Sequence, residues 1–155
     1  MKLEMLNGSL QSIAEYLPKL KLNGRENRAR QKLLLKVTDK FKEFYSDIQE
    51  VKSEHPDDTE RQNEAFTELS SEKAVLDMTE YEKLMPVLYA AMLDYPHEIG
   101  TEREYGKPSD ASIHDYLIDV LEDGIEDEKS GNVEDSNNVT QINNSVDDAQ
   151  YQEVE

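Results

Sequence analysis

The sequence predicts an α+β domain that is mostly helical and is followed by a disordered acidic tail. Residues 25–53 contain no Gly or Pro and place apolar side chains at spacings of three and four, as in one long amphipathic helix. Residues 2–6 and 19–22 alternate apolar and polar side chains, as short strands do. We therefore expect a long helix packed on two or three shorter helices, with one or two short N-terminal strands.

The first predicted strand, residues 2–6, ends at Asn7-Gly8, a dipeptide typical of tight turns. Ser9 is a favourable N-cap for a short helix. The inward positions of that helix follow a one-sided pattern and are Leu10, Ile13, Ala14 and Leu17. Pro18 ends the helix, because proline disfavours helical geometry at the residue before it.

The long helix carries a seam of apolar side chains with the repeat of a heptad. The seam residues are Leu34, Val37, Phe41, Phe44, Ile48 and Val51, and Leu33 and Tyr45 widen it. The seam is either the core of the monomer or part of a coiled-coil dimer, and its two phenylalanines favour an irregular core. His55-Pro56 ends the helix, because proline removes a helical hydrogen bond.

A second helix is predicted after this turn, with Asp58 or Thr59 as its N-cap. The residues expected to face inward from it are Ala65, Phe66 and Leu69. Residues 74–78 then fit either the end of this helix or a short strand, because so few residues do not establish a period.

Two more helices are predicted toward the C-terminus. The capping box that begins at Thr79 opens the first, and Pro86 either kinks that helix or shifts its start. Ser109 or Ser112 caps the second. Its expected inward residues are Ile113, Tyr116, Leu117 and Val120.

Composition divides the chain into a domain of residues 1–121 and a tail of residues 122–155. The tail contains eleven acidic residues and one basic residue, and its apolar residues form no helical stripe. Such a segment cannot bury enough apolar surface to offset the entropy of ordering it, so we expect disorder. The tail serves either as an interaction segment or as a solubilising one.

Charge is distributed unevenly along a chain whose net charge is −18. The candidate basic stripe consists of Lys19, Lys21, Arg25, Arg28, Arg30, Lys32 and Lys36. It either contacts phosphates or pairs with acids inside the protein. We favour pairing, because the rest of the chain would repel nucleic acid. The candidate acidic contact consists of Glu122, Asp123, Glu126, Asp127 and Glu128.

The sequence contains no arrangement typical of a catalytic or metal site. It has no Cys, and its three histidines, His55, His97 and His114, belong to no metal or nucleophile motif. A calcium loop that began at residue 119 would have Leu121 where an oxygen ligand is needed and Ser130 where a Glu is needed. We therefore expect no enzyme activity, no metal and no cofactor.

Several short motifs lie along residues 1–88. They are Lys2-Leu3-Glu4-Met5-Leu6-Asn7-Gly8, Leu20-Lys21-Leu22 with Gly24 and Asn27-Arg28, Glu43-Phe44, Phe66 with Glu68-Leu69, and Val75-Leu76-Asp77. In these motifs the chain resembles a family of small proteins of unknown function encoded by phages and prophages of Gram-positive bacteria. The resemblance implies a gene in the late region, near tail and lysis genes, and it implies no established activity or site residues.

We expect a non-enzymatic phage or prophage protein that acts through protein–protein contacts, as an accessory to late particle or tail assembly. The alternative is an acidic inhibitor that imitates nucleic acid and binds a host defence or replication protein. The expected partner is thus a phage structural protein or a host protein. Direct nucleic-acid binding is disfavoured, and a homo-oligomer stays open.

The chain lacks the features of a membrane or secreted protein. No run approaches the roughly 20 apolar residues of a membrane span, and the first residues form no apolar signal region. We expect the protein in the host bacterial cytoplasm, with association with the virion left open.

Overall fold

The structure, a computed structural model, describes the backbone of residues 1–143 and the side chains of residues 1–131. Over these residues the chain forms five α-helices and one two-stranded sheet. In chain order they are β1 (Lys2–Leu6), α1 (Leu10–Tyr16), α2 (Gly24–Glu54), α3 (Thr59–Ser71), β2 (Lys73–Asp77), α4 (Met85–Leu93) and α5 (Asp110–Asn143). The prediction of a mostly helical α+β fold is confirmed.

The sheet consists of β1 and β2 in antiparallel pairing, with Leu3 opposite Leu76 and Met5 opposite Ala74. These four side chains are buried and their neighbours along each strand are exposed, because successive side chains of a strand point to opposite faces. The N-terminal strand is therefore confirmed. The segment at residues 74–78, which the sequence left open, contributes to the partner strand.

Residues 19–22 do not form the second N-terminal strand that their alternation predicted. A 3-10 turn, Leu17–Lys19, occupies the start of this segment, and Pro18 has no N–H to give to a strand ladder. The Lys21 N–H donates to the hydroxyl of Tyr95 at 2.8 Å instead of to a neighbouring strand. The partner of β1 therefore comes from much later in the chain.

Helix α2 supplies one long side of the core. Its buried stripe packs on α1, α4 and β2 and consists of Ala29, Leu33, Val37, Phe44 and Ile48. Leu34, Phe41 and Val51, which were predicted in the seam, are only half-buried. The buried residues recur at spacings of four and seven, which follow the 3.6-residue turn of a straight helix. Within the chain, this stripe is a core of the monomer.

Helix α3 packs on α2 and on the turn after β1 but contains no buried residue. Asp58 caps it, because its carboxylate accepts the N–H of Arg61 at 3.0 Å. Ala65 and Leu69 are half-buried, whereas Phe66 is exposed. The prediction that all three face inward is therefore wrong for Phe66.

A proline and a serine determine where α4 and α5 begin. Pro86 lies in the first turn of α4, so it shifts the start of that helix and does not kink it. A 3-10 turn, Thr79–Tyr81, precedes α4 where the capping box was predicted. Ser109 caps α5, because its hydroxyl accepts the N–H of Ser112 at 3.2 Å.

Helix α5 continues past Leu121, where the domain was predicted to end. Gly124 is buried against β1, and the carboxylate of Glu128 lies 3.1 Å from the N-terminal ammonium. Residues 122–131 therefore belong to the folded domain, which corrects the predicted boundary. Of the remaining predicted tail, residues 144–155 lie outside the described residues.

Candidate functional site

An apolar groove opens where the C-terminal half of α2 meets α3 and the turn after β1. We call it the hairpin groove, and its volume is about 290 Å³. Its apolar lining consists of Phe41, Phe44, Tyr45, Ile48 and Phe66, and its polar lining includes Asn7, Gln11, Gln49 and Lys52.

Two aromatic side chains of the hairpin groove stand half in solvent. Tyr45 is 55% exposed and Phe66 is 51% exposed. The ring of Phe66 lies 6.3 Å from that of Phe44, and the ring of Tyr45 lies 6.2 Å from that of Phe41, both between centroids. Such pairs form continuous apolar surface, and a monomer that leaves such surface in water often uses it for binding.

The groove arises because α3 is too polar to cover the adjacent face of α2. Phe41, Tyr45 and Ile48 share one face of α2, since they are spaced by four and three residues. Helix α3 adds Phe66 to the lining of the groove, and its half-buried Leu69 packs on the core. The floor of the groove is thus buried while its walls remain accessible.

Charge separates the hairpin groove from its surroundings. None of the described residues that line it is acidic, and Lys52 adds a positive charge. A surface of α3 outside the groove carries Glu60, Glu64 and Glu68, one helical turn apart. In a chain with a net charge of −18, this groove is a locally neutral to basic site.

Three residues of the predicted basic stripe contact side chains of other elements. The Lys19 ammonium lies 3.1 Å from the carboxylate of Asp110. The ammonium groups of Lys32 and Lys36 lie 5.2 and 5.9 Å from the ring centroid of Tyr81, within cation–π range. These contacts tie α2 and the turn before it to α5 and to the turn before α4.

Arg30, a fourth residue of the stripe, serves the backbone. Its guanidinium donates to the carbonyl oxygens of Leu17 and Leu20, each at 2.8 Å, and to the side chain of Asn27. It therefore supplies a donor to the Leu20 carbonyl at the end of the 3-10 turn, and a second donor to the Leu17 carbonyl, which also accepts the Leu20 N–H at 3.2 Å. The other stripe residues, Lys21, Arg25 and Arg28, are exposed at the start of α2 or just before it.

The five predicted acidic residues lie on more than one side of α5. Glu122 is half-buried near Tyr89. Burial raises the pKa of that tyrosine, and the carboxylate of Glu122 raises it further. Asp123, Glu126, Asp127 and Glu128 line a second groove of about 710 Å³ between α5 and β1. Lys2 and Lys73 also line this second groove, so its charge is mixed.

The N-terminal ammonium joins β1 to α5 beside the second groove. It lies 3.2 Å from the carboxylate of Glu82 and 3.1 Å from that of Glu128. Burial alone would lower the pKa of the ammonium, but hydrogen bonds and attraction from the two carboxylates raise it above its usual value of 8.0. The group is therefore charged at neutral pH.

His114 is buried and uses both ring nitrogens. Its Nε2 lies 2.8 Å from the carbonyl oxygen of Met92, and its Nδ1 lies 2.7 Å from the hydroxyl of Tyr16. A carbonyl can only accept, so Nε2 carries a proton, and Nδ1 of the neutral ring then accepts from the tyrosine. Burial raises the pKa of Tyr16 well above its usual range, with Tyr95 and nearby carboxylates adding to the effect.

His114 links three helices by hydrogen bonds, and we call this arrangement the histidine tie. Its hydrogen bonds join α1, α4 and α5, and the ring of Tyr95 lies 5.6 Å from it. A tyrosine with a raised pKa keeps its proton and so is poorly suited to act as a nucleophile or base. His97 is exposed beside the ring of Tyr95, and His55 follows α2.

Within the described part of the chain, no group of three or more His, Asp or Glu side chains is placed to hold a metal ion. None of the described helices has the length and apolarity needed to cross a bilayer.

No known protein family, curated protein or solved structure matches this chain. The features that bear on function are therefore its own surfaces. They are the hairpin groove, the exposed part of the basic stripe and the acidic residues of α5.

Sequence reasoning missed the hairpin groove and the buried histidine tie. A signal for the groove was present, because Tyr45 stands next to the seam of α2 and only a short, polar helix follows to cover it. The signal for the tie was Tyr16, which extends the inward face of α1 three residues beyond Ile13. A polar tip on a buried tyrosine requires a hydrogen-bond partner.

Proposed function

We propose that this chain is a non-enzymatic binding protein whose hairpin groove receives an amphipathic helix of a protein partner. The observation that supports the proposal is the pair of half-exposed aromatic rings, Tyr45 and Phe66, beside an apolar floor. Aromatic side chains that become buried on binding supply much of the binding energy at protein interfaces. Apolar grooves between helices are a recurrent docking place for the apolar face of a helix.

The lining of the groove specifies the partner further. Its apolar floor favours a helix with large apolar side chains at spacings of three and four residues. Lys52 favours a carboxylate at one end of that helix. The amides of Gln11 and Gln49 favour polar groups at its margin, where they can form hydrogen bonds.

The resemblance of residues 1–88 to a phage and prophage family supports the biological setting. In this setting the partner is a phage structural protein, and the protein is an accessory to late particle or tail assembly in the host cytoplasm. Apolar contacts of the groove would persist at high salt, because salt screens charges and not apolar burial.

The second candidate is an acidic inhibitor that imitates nucleic acid. It is favoured by carboxylates spaced one helical turn apart, about 6 Å along the axis. They are Asp123 and Asp127 on α5, and Glu60, Glu64 and Glu68 on α3. Such rows would present negative charge to a basic groove of a host defence or replication protein, and this binding would weaken steeply with salt.

A pull-down from phage-producing bacterial cells, read by mass spectrometry at low and high salt, tests both candidates. The wild type is compared with the double variant Tyr45→Ala, Phe66→Ala. Leu35→Ala is the matched control, because Leu35 is a 49% exposed apolar residue of α2 that does not line the groove. Circular dichroism confirms that each variant is folded.

The proposal predicts that particle or tail proteins are recovered at both salts by the wild type and by Leu35→Ala. The double variant should lose them. Equal recovery by the double variant would refute the hairpin groove as the binding site. Recovery of a host nucleic-acid-binding enzyme that is lost at high salt, whatever the state of the groove, would favour the acidic inhibitor.

A further inference from the structure

The sheet has two outer edges, and the fold covers the edge of β1. The Leu6 N–H donates to the hydroxyl of Tyr116 on α5 at 3.0 Å. Gly124 passes so close to the carbonyl oxygen of Lys2 that an added Cβ would lie 3.0 Å from it. Helix α5 thus shields this edge from other strands, which is one way in which proteins prevent edge-to-edge pairing.

The edge of β2 is left open. The Met78 N–H donates to the carbonyl oxygen of Met1 at 2.8 Å, and the Asn7 N–H donates to the carbonyl oxygen of Glu72 at 2.9 Å. These two bonds show which residues form the hydrogen-bonded pairs of the ladder. Because these pairs alternate along antiparallel strands, the other residues of β2 direct their N–H and C=O groups away from β1. These residues are Lys73, Val75 and Asp77. Among the described residues, no hydrogen bond from outside the strand reaches their backbone groups.

This edge is complementary to itself. When two copies of β2 are placed antiparallel with Val75 at the centre, Lys73 of each copy stands opposite Asp77 of the other. Val75 then faces Val75 of the second copy. All three are outward-directed residues, so each donates its N–H and accepts at its C=O in the same register. Opposite charges and apolar side chains directly across an antiparallel pair are both stabilising.

We propose that β2 pairs with β2 of a second copy of this chain, which joins two sheets into one of four strands. The contact is isologous, with a two-fold axis at Val75. That side chain is 40% exposed in the single chain and would become covered. The interface lies on the sheet edge and uses no residue that lines the hairpin groove, so the two proposals stand or fall separately.

Charged residues on an edge strand usually discourage pairing. Here the two charges are opposite and are placed symmetrically about the central valine. In the self-paired register each charge meets its opposite, whereas a foreign strand would not in general supply that pattern. The edge is therefore protected against unrelated strands and permissive toward its own copy.

Mixing two charge variants tests the register. Lys73→Glu alone gives two acidic residues on the edge, and Asp77→Lys alone gives two basic residues, so neither variant should pair with itself. Mixed together, every cross-strand pair is again opposite in charge. We expect twice the 17.9 kDa chain mass for the wild type and for the mixture, and the single-chain mass for each variant alone, by light scattering after size exclusion.

Val75→Pro tests the backbone contact. The N–H that it removes points away from β1, so the ladder of the single chain is retained. We expect the dissociation constant of the dimer to rise roughly tenfold or more, because two intermolecular hydrogen bonds are lost. Val75→Thr is the matched control, since it keeps the N–H and the shape of the side chain.

Folding must be separated from pairing in these variants. The carboxylate of Asp77 accepts hydrogen bonds from the N–H and hydroxyl of Thr79, at 3.0 and 2.6 Å, so Asp77→Lys is expected to lower the melting temperature. Recovery of the dimer on mixing shows that both variants remain folded. A wild type that stays monomeric at its highest soluble concentration would overturn the proposal. A dimer that persists in both charge variants and in Val75→Pro would also overturn it.

Discussion

Replacing Gly124 by alanine should destabilise the fold, because α5 passes too close to β1 at this residue to leave room for a methyl group. A Cβ atom there would lie 2.4 Å from Cδ2 of Leu3 and 3.0 Å from the carbonyl oxygen of Lys2. Carbon atoms in favourable contact are about 3.5–4.0 Å apart. Either α5 or the side chain of Leu3 would have to move by about 1 Å or more.

Two effects of opposite sign decide the magnitude. Alanine in place of glycine inside a helix adds about 1 kcal/mol of stability. An extra methyl group in a packed site costs about 1–3 kcal/mol, and the overlap with the buried Leu3 places this cost near the upper end. We therefore expect the free energy of unfolding to fall by about 1–2 kcal/mol.

Gly131→Ala is the matched control for Gly124→Ala. Gly131 lies in the same helix, and no atom lies within 4 Å of a Cβ built on it, so we expect a gain of up to about 1 kcal/mol. Urea unfolding followed by far-ultraviolet circular dichroism measures both changes as shifts of the midpoint at constant m-value. If Gly124→Ala stabilises the protein as much as the control does, α5 does not lie against β1.

Three further changes probe contacts inside the domain by urea unfolding. Tyr16→Phe should cost about 1–3 kcal/mol, because it leaves a buried histidine nitrogen without its donor; a loss below about 0.5 kcal/mol would contradict that hydrogen bond. Arg30→Met should cost a similar amount, since the Leu20 carbonyl loses its donor and the Leu17 carbonyl keeps only the Leu20 N–H, whereas exposed Arg28→Met should stay within about 0.5 kcal/mol. The pKa of the N-terminal ammonium is raised, so the stability it gains from Glu128 is complete below the unfolded-state value of 8.0 and is lost as the pH rises through the folded-state value. The difference in stability between the wild type and Glu128→Gln should therefore shrink as the pH rises above 8.0 and through the folded-state pKa, and an unchanged difference would contradict the ion pair.

The helices were largely predictable because the turn and capping residues that determine their ends lie next to them in the sequence. Asn23-Gly24 lies at the start of α2 and His55-Pro56 follows its end, and the capping residues Asp58 and Ser109 act through neighbouring N–H groups. The position of the buried stripe of α2 was less predictable. The 3-4 repeat fits both Leu33 and Leu34, and packing on α1, α4 and β2 decides which of them is buried.

The partner of β1 was not predictable from local pattern. Residues 19–22 and 74–78 both alternate, and both are short. β1 pairs with a strand about seventy residues later, with Lys2 opposite Asp77 and Leu6 opposite Lys73. This pairing is decided by which segment the intervening helices bring alongside β1. Periodicity carries no information on that choice.

The length of the folded part was underestimated because composition alone suggested a tail. Two glycines and many acids over residues 122–131 argue against a helix when they are considered in isolation. In the structure, α5 packs closely on β1 because Gly124 has no side chain, and Glu128 forms an ion pair with the N-terminal ammonium. Both stabilising contacts are long-range, so the sequence pattern does not show them.

The candidate site was only partly predictable for a related reason. The charged residues of the basic stripe and of α5 were identified from sequence, but which of them contact other residues depends on distant neighbours such as Asp110 and Tyr81. The hairpin groove depends on Phe66, which no other part of the described chain covers fully. Phe66 was expected in the core, and the structure leaves about half of its side chain exposed beside Phe44.

The absence of buried residues in α3 has a consequence for local stability. A helix held by so few buried apolar contacts opens at a lower free energy than the whole domain, so its amide hydrogens should exchange faster than those of α1. One side of the hairpin groove is therefore formed by α3, the less protected of these two helices. A ligand that covers Phe66 binds the closed state of α3 and must slow exchange there more than in α1. Affinity at this surface would therefore be limited in part by how often α3 is closed.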